Sequence, residues 1–429
     1  MNQPGKSLKG KIDMSNRLVI LGGNPETAAF VKSLKELKIY VIIVDPNPDA
    51  PAKKFADAAY DVDALNFNAL LKLLRTIHFD GLIVGVADIL VPNYYKVCKA
   101  LNLNCYANKK TIQAFGSKDG FNKICFENNI NVTPSYSLKT HNFNDRDFPL
   151  LVKPVDNGAG VGMSICKNIS GLTNAINHAE RNSKSKRILI EKFMDCDDFF
   201  VYYTFLDGKI YLSATADRHK SRQNNSGSPV CIGASYPSKH QQQFCEEINP
   251  KLISMFKKLG IKNGVLNIQF FRDKHGFYAY DPGFRLQGEA PHLHILHALN
   301  VDQRELLSNY ALSKSSDYAH KNLCDRFVGD NLYAATAWVL LNEGTLYRIE
   351  GLKKIKELAS YKECIQRLFI GDKVSSSMID TERQVFARFY FQNKDLVALK
   401  RDVKIFSQLL KISNKNGSLI SDIFDDTFL

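Results

Sequence analysis

The sequence predicts an α/β protein that opens on a parallel sheet and continues into antiparallel α+β regions. Three observations carry this. The first hundred residues alternate short β-branched runs with helical patterns, the strand–helix–strand repetition that builds parallel sheets. From Ser117 onward the strands come in pairs around tight turn signals, Asp207-Gly208 above all. Finally, 429 residues, 45% hydrophobic and 24% charged, suffice for two or three domains with substantial cores.

Taken in order, Arg17–Leu21, Tyr40–Val44 and Gly81–Val86 are predicted strands. Asn24 as cap and Pro25 at the first helical position, where a missing N–H costs nothing, predict a helix over Pro25–Leu37. Asp45 closes the second strand some way after Gly22-Gly23, as in a dinucleotide fold, but GGNPET lacks the second and third glycines of that fingerprint. A nicotinamide-dependent oxidoreductase is therefore a minor reading. Lys118–Asn128 reads as a short helix, followed by Ile130–Pro134; Gly171–Arg181 reads as another helix and Arg187–Glu191 as a strand. Asp198–Phe205 and Lys209–Ala214 form the hairpin around Asp207-Gly208. One helix at about Gln241–Leu259 precedes paired strands at Gly264–Phe271 and Gly276–Tyr280. Strands at Leu332–Leu341 and Gln384–Phe391 follow, and a closing helix puts Leu396, Leu399, Val403, Phe406 and Leu410 on one stripe.

Composition narrows the partners. No apolar run approaches the ~18 residues of a membrane span, and the polar start is no secretory signal. Met14 is a candidate true start, with the lead-in a tag or disordered. The nine cysteines are scattered with no C-x-x-C pair, which points to free thiols in a reducing cytoplasm rather than disulfides or zinc. The net charge of +13 favours an anionic partner, but the basic residues are spread along the chain, so neither nucleic acid nor a membrane is expected. His292, His294 and His297 lack a cysteine or carboxylate at zinc-ligand spacing.

The stretch LLVKPVDNGAGVGMSI, residues 150–165, places Lys153 at the end of an apolar strand and Gly158, Gly160 and Gly162 just after it. Such a loop brings main-chain N–H groups close to an anion without side chains in the way. It matches neither G-x-x-x-x-G-K-[ST] nor G-x-G-x-x-G, so alone it reads equally as a tight hairpin turn.

Its context decides. The glycine loop is followed by Glu191-Lys192-Phe193-Met194 and preceded by Ser117-Lys118-Asp119 and Asn131-Val132-Thr133-Pro134; further on come Asn267-Ile268-Gln269-Phe270 and Asp281-Pro282-Gly283-Phe284-Arg285. In this order the segments resemble the ATP-grasp superfamily, in its carbamoyl-phosphate-synthetase and biotin-carboxylase branch, over essentially the whole chain beyond Met14. Gly344–Gly351 is similar to the carboxylase-like C-terminal domain. The resemblance implies four segments: residues 1–14 as lead-in or tag, 15–112 as a pre-ATP-grasp domain, 113–312 as a two-lobed ATP-grasp domain with a mobile lobe about 133–194, and 313–429 as a small C-terminal α+β domain.

It also implies roles. Lys118 and Lys153 place ammonium charges on the α- and β-phosphates of ATP, with Gly158, Gly160 and Gly162 closing over them. Glu191, with the Lys192 carbonyl, takes the adenine amino group; the Met194 N–H faces a ring nitrogen beside Phe193. Asp198 reaches the ribose hydroxyls, with Asp197 as a rival. Arg218 faces the triphosphate or an acyl-phosphate, and Arg285 stabilises charge on the transferred phosphoryl group. Asp281 and Gln269 ligate Mg²⁺ (or Mn²⁺). Gly283 stands where the family has an asparagine ligand, so a water or Glu289 is expected to fill that vertex, while the tripeptide Asp281-Pro282-Gly283 also favours a plain turn.

The implied function is a ligase that activates a carboxylate as an acyl-phosphate and joins it to an amine or similar nucleophile, on a small metabolite or a sugar-linked acid. The alternative, motivated by Gly283, is an ATP-binding sensor or scaffold with impaired turnover. No Ser-His-Asp or Cys-His set competes with phosphoryl chemistry, and a homodimer is compatible with everything above.

Overall fold

The computed structural model describes residues 16–155, 161–222, 230–312 and 332–429, apart from the side chains of 297–299. The N-terminal strands form where the β-branched runs lie, at Arg17–Leu21, Tyr40–Val44 and Gly81–Val84, joined by the short strand Ala58–Tyr60. They pair in parallel in the order 58–60, 40–44, 17–21, 81–84. The helix Pro25–Glu36 begins as expected, with the Asn24 side chain accepting from the Thr27 N–H at 2.9 Å. Strands 17–21 and 81–84 are neighbours although not consecutive, so the loops leaving them open side by side at the carboxyl edge. In sheets of this kind that edge is where ligands bind.

A second, four-stranded sheet orders 135–136, 188–192, 150–154 and 164–166, all antiparallel. The helix Ile169–Arg181 closes one face of it through Leu172, Ala175 and Ala179, against Leu150, Val152 and Ile190. The largest sheet, nine strands among the described residues, runs 276–283, 264–273, 197–206, 209–220, 231–236, 333–341, 385–393, 361–366, with 420–423 beside 333–341. Because Cys231–Tyr236 pairs with Tyr333–Leu341, with Ala234 opposite Thr336, this sheet passes without a break into the last hundred residues.

The hairpin turn at Asp207-Gly208 has φ of 47° and 83°, the two positive angles that match strand twist in a two-residue turn. Its second strand runs on to Lys220 rather than stopping at Ala214: the charged run Asp217–Lys220 reads as loop, yet Arg218 pairs with Ala234 in the ladder. The helix expected over 241–259 is two helices, Gln241–Glu247 and Asn249–Leu259. Pro250 is the reason, since it lacks an N–H and its ring crowds the preceding turn. In the closing helix Leu396–Leu409, the stripe of Leu399, Val403 and Phe406 is buried on the strand Val385–Asn393.

One core joins the N-terminal sheet (Leu18, Ile42) to a face of the large sheet (Phe199, Phe270) and its helices (Phe244, Phe256). A polar junction completes the union. Arg388, on strand 385–393 and 3% exposed, donates to Glu26 Oε1 at 2.8 Å, to Glu382 Oε2 at 3.2 Å and to the Gly288 carbonyl, and lies over the Trp338 ring at 4.3 Å. Glu26 comes from the first turn of the N-terminal helix, so one guanidinium ties that sheet to the large one. Breaking a buried pair costs about 3–5 kcal/mol, and without Arg388 the Glu26 carboxylate would keep only the more distant Arg367 Nε at 3.6 Å. Arg388→Ala should therefore lose about that much stability in urea titration, and adding Glu26→Gln should recover part of it; a loss under about 1 kcal/mol would show that the junction is not held by this pair.

Candidate functional site

Three elements converge on one carboxylate. Lys118 is the first residue of the helix Lys118–Phe126, whose cap, Ser117, accepts from the Gly120 N–H at 3.1 Å. A cation at this end opposes the helix dipole, an arrangement that becomes favourable when an anion arrives. Lys153 lies on strand 150–154, whose alternating pattern buries Leu150, Val152 and Pro154 and leaves Leu151 and Lys153 on the other face. Glu191 pairs across from Leu151, so it shares that face with Lys153.

The side chains meet in two ion pairs: Glu191 Oε1 lies 2.7 Å from Lys118 Nζ and Oε2 lies 2.8 Å from Lys153 Nζ. The Glu191 side chain is 3% exposed. Burial works against its charge, but the Lys153 and Lys118 ammoniums outweigh it and hold the carboxyl below its ordinary range. Two ammoniums share one carboxylate, so a positive charge is left over. Burial and the neighbouring Lys153 ammonium accordingly lower the pKa of Lys118. A further anion is the natural complement.

Lys192 turns away from this cradle and donates to the Asp147 and Phe148 carbonyls, both at 2.9 Å, which ties down the loop before strand 150–154. The Phe193 N–H goes to the Pro149 carbonyl at 3.0 Å, and Met194 follows half-buried. Gly162 has φ +78°, and a Cβ there would stand 2.6 Å from Asn182 Cβ, so the described end of the glycine hairpin admits no side chain. Gly158 and Gly160 lie outside the described residues.

The opposite wall of the cleft is the edge strand Gly276–Gly283. Asp281-Pro282-Gly283 is not a turn but the end of this strand, where a proline is tolerated because no further strand needs its N–H. Asp281 pairs with Gln269 and Ala279 with Phe270, so Tyr280 is an extra residue in the ladder. This bulge turns both Tyr280 and Asp281 to the cleft face while Ala279 stays in the core. Tyr280 stacks on Phe271 at 4.1 Å and donates to Asp198 Oδ1 at 2.8 Å. Asp198 Oδ2 accepts from Arg218 at 3.1 Å. Burial pushes the Asp198 carboxyl up against the pull of Arg218, so both of these residues are engaged with each other. Asp197, on the other face of the strand, pairs with Lys239 at 3.0 Å and His240 at 2.9 Å.

Arg285, just past the strand, pairs with Asp88 from the N-terminal sheet. The sequence offered no direct sign of Asp88 or of the Glu26–Arg388 pair. The available signal was positional: Asp88 and Glu26 follow strands 81–84 and 17–21 at the carboxyl edge. Asp45 has another use, since its Oδ2 accepts from the Gly23 N–H at 2.8 Å and its Oδ1 from the Asn47 N–H at 2.9 Å. That carboxylate shapes its own loop, which removes the basis for a nicotinamide-ribose role.

Among the described residues no group of three His, Cys, Asp or Glu side chains forms a metal cage. Asp281 and Gln269, opposite one another, instead offer hard oxygens of the kind that bind Mg²⁺ when a phosphate supplies the rest. Around the Gly283 position the three nearest atoms belong to Asn267, Gln287 and Asp88.

The fold and cleft define a class: a small antiparallel lobe and a large sheet facing each other across paired lysines and an acidic edge strand. The family described as D-ala D-ala ligase C-terminus matches residues 124–217. The formate-dependent phosphoribosylglycinamide formyltransferase of Prochlorococcus marinus (strain MIT 9312) is 24% identical over 275 residues, 59% of this chain and 66% of that protein. The chain spans only 50% of others of the same name, such as that of Francisella tularensis. Among solved structures, the L-amino acid ligase from Bacillus licheniformis superposes with a TM-score of 0.75 at 17% identity, covering 94% of this chain and 99% of that one. The biotin carboxylase domain of Hydrogenobacter thermophilus 2-oxoglutarate carboxylase, solved with MgADP, ADP and bicarbonate, gives 0.69 at 15% identity, with 95% and 92% covered. The matched family, the relatives and the solved structures agree with the ATP-grasp resemblance read from the sequence, and the solved structures share this chain's fold.

Glu289 adds a pH dependence. Its backbone carbonyl accepts from Tyr390 at 2.9 Å, and burial pushes its carboxyl up to about 7 against the pull of Arg218 and Arg388. A carboxyl raised on folding stabilises the fold below its free pKa and loses that contribution as pH rises through the folded value. The melting temperatures of wild type and Glu289→Gln should therefore differ least near pH 4, below the free value of 4.5, and diverge by pH 8. The variant should then gain on the order of a few degrees; parallel curves would mean that Glu289 titrates normally.

Proposed function

We propose that the chain is an ATP-dependent ligase that phosphorylates a small carboxylate and joins the resulting acyl group to an amine or similar nucleophile. The observation that carries this reading is the surplus positive charge of Lys118 and Lys153 around the buried Glu191, facing an edge strand that presents Asp281. The relatives support it, since those named above are a formyltransferase, an amino acid ligase and a carboxylase. The four-segment division 15–112, 113–312 and 313–429 after a lead-in, a cytoplasmic setting and a homodimer belong to the same proposal.

In this mechanism Lys118 and Lys153 bind the α- and β-phosphates, and Glu191 keeps the two ammoniums close enough for both to reach. Glu191 and the segment Lys192–Met194 border the adenine. Asp198 is already occupied by Tyr280 and Arg218, so its reach to the ribose requires that Tyr280 or Arg218 yield an oxygen. Arg285 leaves Asp88 and meets the charge that develops on the transferred phosphoryl group. Asp281 and Gln269 hold the divalent cation, which when bound neutralises phosphate charge. The substrate carboxylate oxygen attacks the γ-phosphorus as ADP leaves; the amine then attacks the acyl carbon, phosphate departs, and the amine gives up its proton.

The sensor alternative keeps one point in its favour, the glycine at position 283. Phosphate release separates the two. Lys153→Ala should weaken ATP binding by more than tenfold in calorimetry, as expected for a charge-assisted contact of roughly 1.5–3 kcal/mol. Asp281→Asn should abolish Mg²⁺-dependent ADP and phosphate production across a pool of acids and amines while largely sparing metal-free nucleotide binding. A wild-type protein that binds Mg-ATP and never releases phosphate, whatever acids and amines are supplied, would support the sensor.

A further inference from the structure

Position 283 is where the cleft departs from its expected chemistry, and the surroundings show how. Asp281 and Gly283 are two apart on one strand and so face the same side. A Cβ on Gly283 would stand 2.3 Å from Asn267 Oδ1, 2.8 Å from Gln287 Nε2 and 3.2 Å from Asp88 Oδ1. The first two distances are shorter than real side chains tolerate, so a side chain here would have to displace the ends of the Asn267 and Gln287 side chains that now occupy the space. Part of what fills it is a carboxylate delivered from another sheet.

Asp88 begins the turn Asp88–Leu90 that follows strand 81–84, and it is held there by the helix Val91–Leu101 packed behind. Its side chain is 48% exposed. One oxygen is paired with Arg285, and the other is the one beside Gly283. The cleft walls push its carboxyl up, Arg285 pulls it back, and the Asp281 charge pushes it further, so the two acids lie within Coulombic reach of each other.

We propose that Asp88 is the second carboxylate for the divalent cation that accompanies the nucleotide, standing in for the side chain that position 283 lacks. This rests on the reading of the cleft as a Mg-nucleotide site. The exchange it requires conserves charge pairing. Arg285 gives up Asp88 for phosphoryl oxygens, and Asp88 gives up Arg285 for the cation, so neither charge is left alone in the cleft. Magnesium uses few protein ligands and prefers carboxylates, and Asp281 with Asp88 makes two. The parallel sheet thereby becomes part of the metal site, and the loss of a side chain at 283 no longer implies loss of turnover.

The test uses the full chain, Mn²⁺ and a non-hydrolysable ATP analogue, with free Mn²⁺ read from its electron paramagnetic resonance signal. Asp88→Asn, which keeps shape and loses charge, should weaken Mn²⁺ binding to the protein–nucleotide complex by at least about tenfold, the lower end of what even outer partners of metal ligands cost. Asp88→Glu should restore part of the Mn²⁺ affinity. If Asp281→Asn loses Mn²⁺ while Asp88→Asn holds it like wild type, the assignment of Asp88 is overturned and the nucleotide site stands. If Asp88→Asn instead binds metal-free nucleotide more tightly with Mn²⁺ affinity unchanged, Asp88 is only a latch on Arg285, which also overturns it. A wild-type chain that takes up neither nucleotide nor Mn²⁺ would remove the underlying reading itself.

Discussion

A carboxylate buried between two ammonium groups is stable only while all three charges keep their places, and in this chain that constraint organises the cleft. Glu191 brings together the N-terminus of the helix Lys118–Phe126 and the strand that carries Lys153. Without Glu191 the two cations would repel each other; without the cations the carboxylate would be a buried charge with no partner. The arrangement is balanced locally and carries one positive charge too many overall. In the proposed mechanism that surplus charge is what the phosphates of the nucleotide would meet.

The rest of the molecule holds the two walls of that cleft in register. The bulge at Tyr280 turns Asp281 toward the lysines while the same strand keeps Ala279 in the core. The large sheet runs from this edge strand into the last hundred residues, and Arg388 fastens it to the first turn of the N-terminal helix through Glu26. Arg285 and Asp88 make a second link of the same kind at the cleft itself. Each link pairs an acid from the carboxyl edge of the parallel sheet with an arginine from the other side, which places that edge over the site.

Much of this was legible in the sequence because it depends on local pattern. Strands such as Arg17–Leu21 and the hairpin at Asp207-Gly208 follow from β-branched runs and turn chemistry, and the lysines and Glu191 followed from the order of short segments. What escaped depends on contacts between distant residues or on competition between local rules. Pro250 split a helix whose apolar pattern ran straight through it. Asp281-Pro282-Gly283 has the composition of a turn but is stabilised as an edge strand by pairing with Asn267–Gln269. The commitment of Asp198 to Tyr280 and Arg218 depends on the order of four successive strands in the large sheet. Asp88 next to Gly283 involves residues almost two hundred positions apart, for which no spacing rule exists.

A crystal structure of the chain with ADP and magnesium tests the central claim most directly. The account predicts diphosphate oxygens within about 3 Å of both Lys118 Nζ and Lys153 Nζ, the range of charge-assisted hydrogen bonds, with Glu191 still buried between them and the metal on Asp281. Nucleotide bound elsewhere, or bound in this cleft with both lysines still turned only to Glu191 and no phosphate contact, would contradict it.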